Sequence, residues 1–220
     1  MHVLPKVLTG AALLILSAAA QAAPLFTYSE GFDNSVTVSN TDLLQTNLAS
    51  TASSGSFGQE GSAGIAVLTD GLTGSSGATG WTGIPDNASI TYTLNTSVNT
   101  AGYDITTIDI FTGWGDKGRV DPNVTVSYAT VGSPTFVSLG TAFHANALDN
   151  NVHNDWIQSH LTDSLLASGV SAIKFDFGPQ QNTYVGYREL DVIGAPTGVP
   201  EPSLGLLGLA SLILVRRRRA

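Results

Sequence analysis

Apolar and polar residues alternate one for one in several stretches of the chain. Ile90, Tyr92 and Leu94 alternate with Thr and Asn, Ile108 and Ile110 flank Asp109, Val124, Val126 and Tyr128 alternate with Thr and Ser, and Ile173, Phe175 and Phe177 alternate with Lys and Asp. A period of two carried by β-branched and aromatic residues predicts strands with one face buried. Tyr184 to Ile193 predicts one more, with Arg188, Leu190 and Val192 on one face and Tyr187, Glu189 and Asp191 on the other. Asp155 to Ala167 reads instead as a short helix, because Trp156, Ile157, Leu161, Leu165 and Leu166 line one face at helical spacing and Asp163 stands where a second turn would be capped. Glycine and serine concentrate between Ser50 and Gly80, broken only by the apolar Ile65 to Leu68. That composition predicts long loops, with ligand binding and lack of fixed structure both open. Together these patterns predict an all-β fold, an antiparallel β-sandwich with one short helix. Its inward residues are Ile90, Tyr92, Leu94, Ile108, Ile110, Val124, Val126, Ile173, Phe175, Leu190 and Val192.

The two ends follow other rules. Met1 to Lys6 is short and basic, Val7 to Leu16 is apolar, and Ala20-Gln21-Ala22 is a small-x-small site. This predicts a secretory signal peptide over residues 1–22, removed by signal peptidase after Ala22. At the other end, Pro200 and Pro202 fix φ and lack an N–H, so the Glu201 peptide stays extended and open to a protease. Leu204 to Val215 is apolar or small, and a helix there rises about 18 Å against a hydrocarbon core of roughly 30 Å. Arg216, Arg217, Arg218 and Arg219 then belong on the cytoplasmic side, leaving the body outside. The ordered run of Pro-Glu-Pro, apolar helix and arginine tail over residues 198–220 closely resembles the PEP-CTERM sorting signal of Gram-negative bacteria. The resemblance implies processing by an exosortase, transient residence in the inner membrane, and delivery to the cell surface or the extracellular matrix. An ordinary tail anchor with a basic flank is the plainer alternative.

Residues 23–197 remain as one domain, a length that supports a single sizeable core. They hold four of the nine basic and sixteen of the seventeen acidic residues, a net charge of −12. Such a field disfavours nucleic acid and anionic membrane and favours cations or neutral ligands. The chain has no cysteine, so an exported domain of this kind is held by packing, or by packing and a metal ion. The order of Asp70-Gly71, Trp81, the strand at Ile105 to Phe111, NVTVSYAT with TFVSL after it, IKFDF and the closing YRELDVIG resembles the galactose-binding-like jelly rolls of discoidin domains and carbohydrate-binding modules. The resemblance implies a structural Ca²⁺ between Asp70 and Glu189; the plainer alternative is a simple Asp-Gly turn and a solvated glutamate. Trp114, in the turn GWGDKGR beside Asp116, Lys117 and Arg119, is either an exposed indole that stacks on a sugar ring or a core residue covering the end of the sandwich.

Catalytic motifs are not supported. Gly113 to Gly118 fits G-x-G-x-x-G, but Pro122 and a β-pattern follow where a dinucleotide site needs a helix. Ser171 and Lys174 fit S-x-x-K on a strand, where residues three apart point to opposite faces. His144, His153 and His160 match no metal-ligand spacing. No G-x-S-x-G or H-E-x-x-H occurs. The expectation is a non-catalytic surface or matrix protein that binds exopolysaccharide, with a small secreted hydrolase as the alternative.

Overall fold

The computed structural model describes residues 24–31, 36–73, 80–115, 117–145 and 155–198. Asp116, the signal segment and the sorting segment lie outside them, and no described helix is long and apolar enough to cross a membrane. Among the described residues, nine antiparallel strands and one α-helical turn carry the fold. In chain order they are β1 (Thr27–Gly31), α1 (Leu43–Thr46), β2 (Leu48–Ser54), β3 (Thr82–Pro85), β4 (Ser89–Leu94), β5 (Tyr103–Trp114), β6 (Asn123–Thr130), β7 (Ser133–Phe143), β8 (Asp155–Phe177) and β9 (Tyr184–Pro196). They form one curled sheet in the order β2-β4-β8-β5-β9-β3, with β1 and β6 also bonded to β8, and β7 to β6.

Strand β8 is the hinge of this arrangement. Its first half pairs with β1 and β5, and its second half, from Val170, pairs with β4 and β6. The change of partner falls at Gly169, whose φ of +67° is open to glycine at little cost. One strand thus serves both layers of the sandwich. The layers close on a single core that includes every residue expected to face inward, from Ile90 and Tyr92 through Phe175 to Leu190 and Val192.

Three expectations are corrected. Asp155 to Ala167 is strand, not helix; the only α-helix among the described residues is α1, capped by Asp42. Ile157, Ser159 and Leu161 all point inward and are fully buried, and the serine at a core position conceals the period of two. Ser50 to Ser54 is not loop but part of β2, paired with β4. Strand β9 is buried on both faces from Tyr184 to Val192, because α1 and the 3₁₀ turn Ile65–Thr69 pack over the face expected to be solvated.

Candidate functional site

Covering that face of β9 buries its acids. Glu189 and Asp191 are 0% and 2% exposed, and Asp42, brought over them by α1, is 4% exposed. The three offer carboxylate oxygens within 4.8 Å of one another. Each carboxylate is half satisfied. The Leu44 and Val192 N–H groups donate to Asp42 Oδ1 at 2.8 and 3.4 Å, Ser39 N–H to Asp191 Oδ2 at 2.7 Å, and Gly71 N–H and Gln45 Nε2 to Glu189 Oε1 at 3.1 and 3.4 Å. The other oxygens, Asp42 Oδ2, Asp191 Oδ1 and Glu189 Oε2, are buried without a partner, as are Gln45 Oε1 and the Tyr92 hydroxyl. Burial, followed by repulsion from Asp191, Asp70 and Asp42, pushes the Glu189 carboxyl up to about 9. Burial and then Asp42 and Asp109 push Asp191 up to about 7, and burial raises Asp42. No described Lys, Arg or His forms an ion pair with any of the three.

The Asp-Gly turn and the closing glutamate therefore do meet, but through the backbone. Gly71, at φ +75°, aims its N–H at Glu189, and a Cβ there would lie 2.6 Å from Gln45 Nε2. The Asp70 carboxylate is exposed, accepts from Leu72 N–H at 2.9 Å, and lies outside the group of three. Asp42 and Asp191 are the acids that sequence reasoning missed. Asp191 shares a strand face with Glu189 and was legible in YRELDV; Asp42 carried only the signal of a helix cap.

Trp114 lies at another place, where β5 ends. Its ring is half-buried, edge-on to Trp81 (centroids 4.3 Å apart) and to Tyr184 (5.7 Å). The Arg119 guanidinium sits 5.2 Å from the Trp114 ring centre and 4.2 Å from that of Tyr184, and reaches Glu60 at 3.7 Å. Gln181 and Asn182 lock this corner: Gln181 accepts from Val120 N–H and donates to the Lys117 carbonyl, and Asn182 donates to that of Gly118. Beyond the lock opens a cavity of ≈ 230 Å³ lined by Asp121, Asn123, Phe143, His144 and Gln180. Phe143 is exposed, and His144 stacks on Tyr28 and bonds Glu30. The sandwich end thus places Trp114 and Arg119 together, with the indole neither fully open nor fully covered.

The histidines form no common site. His144 pairs with Glu30, His160 with Asp109 at 2.7 Å, and His153 lies outside the described residues. Among the described residues no Ser or Thr hydroxyl bonds either described imidazole.

No protein-family model and no curated protein matches this chain. Among solved structures, it is similar to the CBM32-1 and CBM32-2 domains of Clostridium perfringens ZmpB, with a TM-score of 0.51 at 11% identity, covering 82% of this chain and 43% of that one. A Clostridium perfringens CBM32 module in complex with GalNAc-beta-1,3-galactose gives a TM-score of 0.48 at 13% identity over 70% of this chain and 99% of that one. The family 32 CBM of C. perfringens NanJ, in complex with galactose, gives 0.47 at 14% identity over 69% and 97%. At such identities the likeness is one of fold: the chain is an antiparallel jelly-roll β-sandwich.

Proposed function

We propose that this chain is an exported, non-catalytic surface or matrix protein whose sandwich binds a neutral glycan at the β5 end and holds a calcium ion in its buried acidic cluster. The observation that carries the glycan reading is the half-open Trp114 ring, fixed by Trp81, Tyr184 and Arg119, on the corner that Gln181 joins to a ≈ 230 Å³ cavity edged by the exposed Phe143 and by Asn123 and Gln180. Aromatic surface for the apolar face of a sugar, next to donors and acceptors for its hydroxyls, is the chemistry a neutral ring needs. Asp116, two residues after Trp114 in the sequence, is proposed as a further hydroxyl partner. The modules of similar fold are described with galactose and GalNAc-beta-1,3-galactose, which sets the first probes. A glycan array on the purified chain should show binding, and Trp114→Ala should abolish it while circular dichroism shows the β fold kept; unchanged binding by that variant would sink this face.

The calcium reading rests on the orphaned oxygens. Three carboxylates buried without a cation are strongly unfavourable, whereas a hard cation takes six to eight oxygens at about 2.3–2.6 Å. Asp42, Glu189, Asp191 and the Gln45 carbonyl oxygen would hold it, and it would tie α1, the Asp70-Gly71 turn and β9 together. Such an ion adds stability as RT ln(1 + [L]/Kd), about 2.7 kcal/mol at a hundred times Kd. Calcium should raise the melting midpoint by several degrees, chelator should reverse it, and Glu189→Gln should remove the response. Delivery follows from the ends: signal peptidase after Ala22, exosortase at Pro200-Glu201-Pro202, with Arg216–Arg219 retained on the cytoplasmic side.

A further inference from the structure

The charge of −12 on residues 23–197 is not spread evenly. Strands β2, β4, β6 and β7 contain no Asp, Glu, Lys or Arg, and from Pro122 to Leu148 the sequence has none at all. The second half of β8, which runs between β4 and β6, adds only Lys174 and Asp176, and these two pair at 2.6 Å. One layer of the sandwich is therefore neutral while the protein as a whole repels copies of itself.

That neutral layer ends in β7. The strand bonds only to β6. Tyr28 covers it near Phe143, its hydroxyl oxygen accepting from Phe143 N–H, and Phe26 lies against Gly140. From Ser133 to Ser138 every residue is exposed, and no described strand pairs with the outer edge. Edge strands are ordinarily shielded by charge, by brevity, by bulges or by a covering segment. This one is eleven residues long and uncharged, and its guards are Pro134 and two breaks of register against β6, between Gly140 and Ser138 and between Val137 and Ser133. Phe136 and Val137 are neighbours and so point to opposite faces, yet they are 39% and 51% exposed, with Val131 exposed at the adjoining turn. Apolar side chains in water on both faces of one open edge are what a continuing sheet would cover. Beside it an open groove of ≈ 520 Å³, lined by Thr91, Thr93, Thr130, Pro134 and Phe136, lies between the β6–β7 turn and β4.

We propose that the outer edge of β7, Ser133 to Ser138, pairs antiparallel with the same strand of a second copy about a two-fold axis. The choice of a second copy rests on charge. Two bodies of −12 approach each other most readily where neither presents charge, and a strand without charge meets its own copy with no like-charge contact at any register. Antiparallel self-pairing about a two-fold axis satisfies free N–H and C=O groups of both edges and uses the same edge of each copy, so it closes at two. Phe136 and Val137 give the register an apolar anchor on each face.

Sedimentation of the purified full chain over a range of concentration tests this. A monomer–dimer equilibrium is expected, with Val137→Lys and, independently, Phe136→Lys raising Kd by about tenfold or more, while Val98→Lys, exposed in the turn after β4, leaves it unchanged. Circular dichroism checks that the variants keep the β fold. Because the chain has no cysteine, single Cys substitutions at Ser133, Thr135, Val137 and Ser138 report the pairing. Oxidation should cross-link the positions nearest the axis and spare the others, given the short Cα separation a disulfide requires. A wild-type monomer at all concentrations overturns the proposal, as does a dimer that survives both lysine variants. Growth beyond two copies would exclude the two-fold pairing. A monomer whose glycan binding falls in Val137→Lys would assign the edge to a polysaccharide instead.

Discussion

Glu189, Asp191 and Asp42 set the chemistry of β9 through what they lack. Each has one oxygen bonded and one buried without a partner, so the proposed cation would compete with protons for the same oxygens. The sign of the pH dependence follows. The unfolded chain ionises Glu189 near its ordinary 4.5 and Asp191 near 3.8, while the folded, metal-free chain holds the protons up to about 9 and about 7. Both shifts are upward, so their stabilisation is full below the unfolded values and is lost as pH rises through the folded ones. The metal-free protein should therefore melt higher at about pH 5 than at about pH 8, and calcium, which displaces the protons, should raise the midpoint more at the higher pH. A metal-free midpoint that rises over that interval would contradict this account. Glu189 could be read from the sequence because it stands in the closing strand. The meeting of Asp42 with it could not, since only the packing of α1 against β9 brings the two together.

Among the elements, strands with one wet and one dry face declared themselves: β4 and the second half of β8 alternate as their residues promise, β6 does so up to Val126, where a register break puts Ser127 inside and leaves Tyr128 half-buried, and Phe175 in β8 is 0% exposed. Phe175→Ala should cost roughly 3 to 5 kcal/mol, measurable by urea denaturation as a lower midpoint with an unchanged slope; a loss below about 1 kcal/mol would mean that the site collapses around the gap. Strands that break the binary rule were the ones concealed. The first half of β8 puts Ser159 in the core, bonding patterns aside, and leaves Leu165 half exposed. Strand β2 is exposed along nearly its whole length and is held by its backbone bonds to β4, so its side chains carry no periodic signal. In β9 the polar residues are buried by a covering layer that lies far away in sequence.

At the scale of the whole molecule, the export route proposed from the two end segments is open to direct test. Intact mass of the form recovered outside the cell should lack residues 1–22 and the arginine tail, and a mass retaining Arg216–Arg219 would exclude exosortase processing. The strand shared by both layers bears on that route through time. Strands β1, β4, β5 and β6 all find partners in β8, so a growing chain that has not reached Asp155 can form only the pairs β2–β4 and β6–β7. Two-stranded pairs are marginal in water, and β9, which completes β5 and β3, comes later still. At synthesis rates of about 5 to 20 residues per second, roughly ten to thirty seconds pass before β8 begins to emerge. Throughout that interval the chain has no sandwich, and under the proposed export it would reach a narrow pore still able to thread through it.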